Sequence, residues 1–388
     1  MRILTIFGTR PEAIKMLPLV QALQSDDRFQ CQVALTAQHR EMLDQVMELF
    51  GVAADYDLNI MQAGQTLFDI TTRALTGLQQ VIQIAQPDLI LVHGDTSTTF
   101  VGALAAYYCQ IPVGHVEAGL RSGNKFSPYP EEMNRKLTGA LADLHLAPTV
   151  LARDNLLKEG ADLHRIFVTG NTVIDALKWA VRKPCPKEAG LAELADLRKA
   201  MEAQGKRCRV LTVTSHRREN LGQPMERIFR ALRRLAEDFD DVAVVFPMHK
   251  NPAVRRPAMD ILGGHPRILL TEPMEYLPFA HLMDQSYLVL TDSGGLQEEA
   301  PSLGKPVLVL RENTERPEAV TAGTVRLVGT HEEAIYAGAA ELLRDPKAYE
   351  AMAHAVNPYG DGQACRRIIE AIAYWRGLSQ HAPEPFEP

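Results

Sequence analysis

Acidic residues stand at the ends of apolar segments in the first half of the sequence. Asp95 follows the run LILVHG, Glu117 follows IPVGHV, and Glu131 opens a helical segment in YPEEMNR. Asp95 is equally well explained as a helix cap, but a carboxylate rarely closes an apolar β segment by chance. Three acids can supply a general base and a general acid if their surroundings separate their pKa values. The spacing does not show whether the three converge.

Basic residues of the same half could accompany these acids. Arg10 and Lys15 in GTRPEAIK flank a predicted helix start, where free backbone N–H groups favour anions, although solvated surface cations are the simpler interpretation. Arg135 lies four residues after Glu131 and shares its helix face, and a surface ion pair is the simpler interpretation there. GTRPEAIK is neither a GxGxxG dinucleotide motif nor a Walker loop, so neither NAD nor ATP is indicated.

The stretch LTDSGGLQEEA in the second half predicts an anion-binding turn. Ser293, Gly294 and Gly295 stand between a strand-like run and a helix start, where missing side chains expose backbone N–H groups. A flexible turn explains the paired glycines equally well, and the acids that follow favour a ligand. Glu299, one turn into the helix, can accept hydrogen bonds from ribose hydroxyls beyond the phosphates. Glu298 is expected to be a solvated or capping carboxylate.

Two further motifs add cations to this half. SHRREN offers His216, Arg217 and Arg218 after a strand, of which one is expected to reach the ligand while the others are ordinary cations at a helix start. RENTERPE supplies Arg311 and Arg316. The first half is therefore rich in acids and the second in anion-binding features, and this division suits a nucleotide-diphosphate sugar.

Short apolar runs alternate with helix-patterned segments along almost the whole chain, which predicts parallel sheets covered by helices. The strand-like runs are RILTIFG, QVALT, LILVHG and IPVGHVEAG, and then, after about residue 205, RVLTVTS, VAVVFPM, RILLT, YLVLTDSGG and PVLVLR. Two successive βα series predict an α/β protein of two doubly wound, Rossmann-like domains with a central cleft. Ligands of such sheets collect at the carboxyl ends of the strands, where the polar motifs stand.

The same pattern predicts where the domains begin and end. Residues 1–170 form the N-terminal domain with the acids, 171–205 a connection rich in proline and charge, and 206–360 the C-terminal domain with the anion-binding features. A last helix at about 361–378 is predicted to return to the first domain. The tail 380–388 is predicted to be disordered.

The composition restricts the class of protein. The chain has 388 residues, 46% of them apolar and 23% charged, which suffices for two domains with separate cores. A formal net charge of -7 argues against a nucleic-acid-binding protein. The five cysteines are scattered without a CxxC pair, which predicts reduced thiols in the cytoplasm and neither disulfides nor a zinc site. No apolar run suffices for a signal sequence or for the ~20 residues of a membrane span.

Taken together, the strand-end motifs resemble those of the bacterial non-hydrolysing UDP-N-acetylglucosamine 2-epimerases. The motifs that carry the resemblance are, in order, GTRPEAIK, HGDTSTT, HVEAGLRS, YPEEMNR, HRREN, EYLPF, DSGGLQEEAP and ERPEA. They cover nearly the whole chain, and the set is far more specific than any member. The resemblance implies a fold like that of the two-domain GT-B glycosyltransferases, a homodimer, and reversible conversion of UDP-N-acetylglucosamine to UDP-N-acetylmannosamine without NAD or a metal as cofactor.

The resemblance also implies roles for particular residues. In the family's mechanism the C2 proton is removed as UDP leaves C1, giving 2-acetamidoglucal, and UDP adds back while C2 is reprotonated on its other face. By motif, the candidate acid/base residues are Asp95, Glu117 and Glu131, and Lys15 and His216 would support the substrate and the departing diphosphate. The implied substrate contacts also include Arg10 with UDP, Ser293, Gly294 and Gly295 with the phosphates, Glu299 with the ribose, Phe279 at the uracil, Arg316 near the diphosphate, and Arg135.

Three positions depart from the family's pattern. Met274 stands where many relatives have Gln before EYLPF, so only a backbone contact to uracil remains there. Glu41 in QHRE and Gly64 in MQAGQ replace residues of a second, activating UDP-N-acetylglucosamine site that some members have. That regulation is therefore not expected to be kept in full.

Three other functions remain open at this point. A hydrolysing epimerase would release UDP and free N-acetylmannosamine irreversibly. A GT-B glycosyltransferase would share the fold and the UDP site but would need an acceptor. A non-catalytic UDP-sugar sensor fits less well, because binding neutral sugar hydroxyls does not need three acids at strand ends.

Overall fold

The computed structural model describes residues 1–37, 40–62, 64–185 and 189–388. The chain divides into two compact units. Unit 1 comprises Met1–Ala176 together with Tyr359–Pro388, and unit 2 comprises Leu177–Pro358. Within the described ranges, none of the helices combines the length and apolar character needed to cross a membrane.

Each unit is built on one parallel sheet. Unit 1 has seven strands in the order β3-β2-β1-β4-β5-β6-β7, and unit 2 has six in the order β10-β9-β8-β11-β12-β13. The strands of unit 1 are β1 (Arg2–Phe7), β2 (Gln30–Leu35), β3 (Tyr56–Asp57), β4 (Leu89–His93), β5 (Val113–Val116), β6 (Leu144–Ala147) and β7 (Ile166–Val168). Those of unit 2 are β8 (Arg209–Thr214), β9 (Val242–Pro247), β10 (Ile268–Thr271), β11 (Leu288–Thr291), β12 (Val307–Val309) and β13 (Val325–Leu327).

Helices connect the strands in both units, as parallel pairing requires. In chain order they are α1 (Arg10–Gln24), α2 (Arg40–Phe50), α3 (Leu67–Ala85), α4 (Ser97–Tyr108), α5 (Glu131–Leu141), α6 (Val150–Lys158), α7 (Thr172–Val181), α8 (Ala189–Glu202), α9 (Gln223–Asp238), α10 (Pro252–Leu262), α11 (Tyr276–Asp284), α12 (Leu296–Glu299), α13 (Pro317–Ala322), α14 (Glu332–Arg344), α15 (Pro346–Ala353) and α16 (Ala364–Trp375).

The order of the strands reverses once in each sheet. The chain runs from β1 outward to β3 and then returns to place β4 on the other side of β1, and β8 and β11 have the same relation in unit 2. The turns that leave these two central strands diverge, which opens a crevice at the carboxyl edge of the sheet. GTRPEAIK and HGDTSTT follow β1 and β4, and SHRREN and TDSGG follow β8 and β11. The sequence prediction of two doubly wound parallel sheets is confirmed.

Apolar periodicity explains how these elements bury their faces. All five residues of β4 are buried, because helices cover both sides of a parallel sheet. Helix α9 is strongly amphipathic and buries one stripe against the core of unit 2, formed by Met225, Ile228, Phe229, Leu232 and Leu235. Helix α16 packs on α1 within unit 1.

The structure differs from the sequence analysis at two places between and after the sheets. Helices α7 and α8 occupy much of the segment predicted as a connection, and residues 186–188 lie outside the described part. The tail, which the sequence predicts to be disordered, contacts unit 1 through Phe386. This residue is buried, its N–H donates to the carbonyl of Val168 at 2.8 Å, and the Arg367 guanidinium lies 5.4 Å from its ring centroid. Burial of the Phe386 side chain therefore holds this proline-containing segment against unit 1.

Three buried histidines lie on neighbouring strands of unit 1. Burial lowers the pKa of His93 on β4 and of His145 on β6 to about 4, and that of His115 on β5 to about 3. His115 Nε2 lies 2.8 Å from the carbonyl oxygen of Gly94. All three rings are therefore neutral in the folded protein near pH 7, because burial outweighs the nearby groups, such as the Glu117 carboxylate beside His93, that favour the protonated form.

We expect unit 1 to lose stability as the pH falls, and His145→Leu to reduce that loss. An unfolded histidine binds a proton below its ordinary pKa of 6.5, whereas folded His145 does so only near 4. The effect of His145 on the free energy of unfolding is therefore constant above pH 6.5, where the ring is neutral in both states. As the pH falls from 6.5 to 4, only the unfolded state binds the proton, and the free energy of unfolding decreases by about 3 kcal/mol. Thermal unfolding across this range should show a shallower slope for the variant. The same substitution at exposed His164 is the control, and equal slopes for all three proteins would contradict the expectation.

Candidate active site

Glu117 is held in a restricted position in unit 1. It follows β5 with a φ of +62°, a left-handed conformation that is uncommon outside glycine. Its Oε2 pairs with Lys15 Nζ, accepts a hydrogen bond from Asn171 Nδ2 at 2.8 Å and lies 3.8 Å from His93 Nε2. The side chain is only 9% exposed. A carboxylate with neighbours on α1, at the end of β4 and after β7, in a strained backbone conformation, is typical of a functional site.

The turn after β4, which carries Asp95, lies against the Glu117 side chain. An added Cβ at Gly94, the residue before Asp95, would lie 3.6 Å from Glu117 Oε1. Asp95 pairs with the Arg135 guanidinium through Oδ2, and its carbonyl accepts a hydrogen bond from Asn134 Nδ2 at 2.9 Å. Helix α5 is therefore fastened to the turn that carries Asp95. The sequence did not reveal this pair, because 40 residues separate Asp95 from Arg135.

The predicted surface ion pair of Glu131 with Arg135 is wrong. Arg135 Nη1 lies 3.3 Å from Glu132 Oε2, and its other terminal nitrogen is directed to Asp95. Glu132 is buried and also accepts hydrogen bonds from the Ser122 and Gly123 amides. Glu131 Oε2 is buried and has no hydrogen-bond partner among the residues that the structure describes. The arginine thus ties α5 down and leaves the Glu131 carboxylate available.

A buried acid missed by the sequence analysis organises the turn after β1. Glu12 accepts hydrogen bonds from the amides of Gly8 at 3.1 Å and Thr9 at 2.8 Å, and from the hydroxyls of Thr96 at 2.7 Å and Thr99 at 3.2 Å. Burial raises its pKa. The TRPE capping box of Thr9 and Glu12 was the available signal. Glu12 fastens the turn that bears Arg10 to the turn that bears Asp95.

Asp292 plays the corresponding part in unit 2. It is fully buried, and its Oδ2 accepts from Ser215 Oγ at 3.1 Å, the His216 amide at 2.8 Å, the Arg217 amide at 2.9 Å and Asn220 Nδ2 at 3.0 Å. Its Oδ1 lies 3.5 Å from His216 Nδ1. The sequence analysis treated Asp292 only as part of the DSGG turn. The carboxylate instead joins the strand ends of β8 and β11.

A carboxylate of the protein lies against the predicted anion-binding turn. An added Cβ at Gly294 would lie 3.2 Å from Glu315 Oε1. Glu315 pairs with Arg217 Nη2 at 2.9 Å and Arg311 Nη1 at 2.6 Å. Burial raises the pKa of Glu315, but hydrogen bonds from its own backbone and from Arg311, with the charges of both arginines, outweigh burial and bring the pKa to about 2. The surroundings of Gly294 therefore favour negative charge.

The two glutamates after the glycines lie in different environments. Glu298 is 2% exposed and pairs with Arg316 Nε, so the expectation of a solvated or capping carboxylate is wrong. A guanidinium eighteen residues along the chain balances its charge. Glu299 is only partly buried, and its Oε1 would lie 3.3 Å from an added Cβ at Gly295. Glu299 is therefore the more accessible of the two, beside the turn that also carries Ser293.

His216 and Phe279 are the remaining candidates of unit 2. His216 is 44% exposed and stacks on His249, with ring centroids 5.6 Å apart and an interplanar angle of 13°. His249 follows β9 and was missed by the sequence analysis, although it stands at a strand end. Phe279 on α11 packs, with Met274, at the edge of an apolar cluster that includes Leu282.

Glu41 and Gly64 stand where some family members have residues of a second, activating site. The side chain of Glu41 lies outside the described part of the structure. Gly64 has a φ of +70°, and an added Cβ would meet no atom within 4 Å. Among the described residues, His, Cys, Asp and Glu side chains form no group of three or more that could hold a metal ion.

Known proteins resemble this chain both in fold and in sequence. Together the two parallel-sheet units define a fold of the GT-B-like class. The model of the family described as UDP-N-acetylglucosamine 2-epimerase matches residues 21–373. The chain therefore belongs to the UDP-N-acetylglucosamine 2-epimerase family.

Individual relatives are similar over almost their entire length. The UDP-N-acetylglucosamine 2-epimerase of Salmonella typhimurium is 55% identical, covering 97% of this chain and 99% of the relative. The S. aureus MnaA–UDP co-structure has a TM-score of 0.84 at 51% identity and covers 100% of both chains. The UDP-GlcNAc 2-epimerase of Neisseria meningitidis, solved with UDP-GlcNAc bound, has a TM-score of 0.82 at 49% identity over 96% of this chain and 99% of that one.

We expect Glu12→Ala to destabilise unit 1 by on the order of 3 kcal/mol, because it leaves the Gly8 and Thr9 amides and two threonine hydroxyls without their acceptor. Chemical denaturation followed by circular dichroism measures the loss. Glu48→Ala, an exposed glutamate on α2, is the matched control and should change stability by less than about 0.5 kcal/mol. Equal stabilities for the two variants would show that the Glu12 network contributes nothing.

Proposed function

We propose that this chain reversibly interconverts UDP-N-acetylglucosamine and UDP-N-acetylmannosamine by elimination and re-addition of UDP. The observation that carries the proposal is the group of acids at the carboxyl ends of β4 and β5, with Glu117 paired to Lys15 beside the turn of Asp95. Membership of the epimerase family supports the same reaction. Inverting C2 requires that a proton leave one face of the sugar and that another arrive on the opposite face, which several acids can provide.

The proposed chemistry balances without an external reagent. A carboxylate takes the C2 proton, and the C2–H electron pair forms the C1=C2 double bond. The C1–O bond breaks, and its electron pair leaves with UDP. In the return step UDP oxygen attacks C1, and the double-bond electrons take a proton at the other face of C2. Asp95, Glu117 and Glu131 are the proposed acid/base residues, and Lys15 places a positive charge beside Glu117.

Unit 2 is proposed to hold the nucleotide. Ser293, Gly294 and Gly295 would receive the phosphates, and the arginines that hold Glu315 support this, because they already stabilise an anion at Gly294. The further proposed contacts are Glu299 with the ribose, Phe279 with the uracil, Arg10 and Arg316 with UDP, His216 with the departing diphosphate, and Arg135 with the substrate. Arg316 would share its guanidinium between the ligand and Glu298.

We propose, in addition, that the protein acts in the cytoplasm as a homodimer. Exposed aromatic and aliphatic side chains on α3 and α4 support a second copy as the partner, since large apolar groups in water favour association. These side chains are Phe68, Ile84, Tyr107 and Tyr108, exposed by 84%, 71%, 61% and 66%.

Incubation with UDP-N-acetylglucosamine in D2O tests the reaction. We expect UDP-N-acetylmannosamine to appear, with deuterium at C2 of both sugars, because the removed proton exchanges with solvent before C2 is reprotonated. Proton NMR detects the label and both products. Absence of deuterium at C2 would falsify the mechanism, and free N-acetylmannosamine would indicate hydrolysis instead. Epimerisation without an acceptor would exclude a glycosyltransferase reaction as the explanation.

Glu117→Gln tests the acid cluster. The amide keeps the size of the side chain but cannot take or give the C2 proton, so we expect kcat to fall by roughly 10²–10⁴-fold. The Kd for UDP, measured by calorimetry, should stay within about threefold because the proposed phosphate contacts lie on unit 2. Glu159→Gln, which alters a glutamate paired with Arg121 outside the cluster, should leave kcat unchanged. Full activity of Glu117→Gln would remove this residue from the mechanism.

A further inference from the structure

The two oxygens of the buried Asp292 carboxylate have different surroundings. Oδ2 is saturated by four donors: the Ser215 hydroxyl, the amides of His216 and Arg217, and the Asn220 side chain. Oδ1 is buried without a hydrogen-bond partner among the described residues, and His216 Nδ1 lies 3.5 Å from it. The four donors fix the carboxylate plane, so Oδ1 is directed at the imidazole by the packing of the other oxygen.

The His216 ring is held by three constraints. Its backbone amide is bound to Asp292 Oδ2, its Nδ1 faces Asp292 Oδ1, and one face stacks on His249. A carboxylate oxygen without a proton is only an acceptor, so the atom that faces it is stabilised as Nδ1–H. The alternative neutral tautomer would place its Nδ1 lone pair 3.5 Å from the buried Asp292 Oδ1, lone pair against lone pair. The other ring nitrogen, Nε2, is then the atom left for a ligand.

We infer that Asp292 is a positioning residue for the reaction: it holds His216 as the Nδ1–H tautomer and presents Nε2 to the departing diphosphate. This inference deepens the proposed function and rests on it for the role of His216. It assigns a task to a residue that has no proposed contact with substrate. The aspartate that opens the DSGG turn thereby acts on the histidine of the neighbouring strand end as well as on its own turn.

The same carboxylate links two parts of the proposed nucleotide site. Ser293 follows Asp292 directly in the chain. Arg217, whose Nη2 donates to Glu315 at Gly294, also donates its amide to Asp292 Oδ2 and its Nε to the Asp292 carbonyl at 3.0 Å. The histidine, the arginine and the glycine turn therefore share one anchor.

The variant Asp292→Asn isolates the contact at Oδ1. Its amide oxygen can replace Oδ2 and accept from the same donors, while its NH2 group takes the place of Oδ1 and donates to Nδ1. We expect His216 to change to the Nε2–H tautomer, visible in the ¹⁵N spectrum of protein labelled at histidine, with His216 assigned by its absence in His216→Gln. We expect kcat to fall by about 10²-fold, with KM and the Kd for UDP within about threefold.

Ser215→Ala is the matched control. It removes one donor to Oδ2 and leaves Oδ1 in place, so His216 should keep Nδ1–H and kcat should change by less than about threefold. An Nε2–H tautomer in the unaltered protein would overturn the inference, as would an Asp292→Asn variant with unchanged spectrum and kcat. If that variant does not fold, the spectrum of the unaltered protein decides. The spectrum does not depend on turnover, so failure of the D2O experiment would reject the proposed reaction without deciding the tautomer.

Discussion

A buried carboxylate joins the two central strand ends in each unit, and the geometry of the candidate residues of that unit depends on it. Glu12 connects the turns after β1 and β4, and Asp292 connects the turns after β8 and β11. In both sheets these strands are the neighbours at which the strand order reverses. The turns there diverge and leave backbone N–H groups without strand partners. A buried N–H group needs an acceptor, and one carboxylate supplies several at once.

The unfavourable desolvation of these buried carboxylates is offset in different ways. Asp292 is compensated by amide and hydroxyl donors, as is Glu12, whereas Glu298 is matched by the guanidinium of Arg316. A buried charge that loses its partner is strongly destabilising, and a satisfied one restricts the conformation of the groups around it. The benefit to this protein is precise placement of strand-end turns. The ion pair with Lys15 likewise fixes the side chain of Glu117. The left-handed backbone conformation of Glu117 is unfavourable, and contacts of this kind stabilise it.

Unit 2 holds its cations in place by pairing them with its own acids. Glu315 lies between Arg217 and Arg311 against Gly294, and its low pKa keeps it ionised over the whole physiological range. Two guanidinium groups would otherwise repel each other at this edge of the sheet. In the proposed function the phosphates meet a position that is already arranged around negative charge, and preorganised donors of this kind stabilise an anion without further rearrangement.

The sequence by itself determined the two βα series, the parallel sheets and the strand ends at which polar residues gather, because burial on both faces leaves continuous apolar runs. The motif set also determined the family. Only the tertiary structure decided the partners: Arg135 with Asp95, Glu298 with Arg316, and Asp292 with the strand end of β8. Those pairs join residues up to 77 positions apart, so no local pattern specifies them. Periodicity is a local property of the chain, whereas the destination of a charged side chain depends on which distant segments the sheet brings beside it.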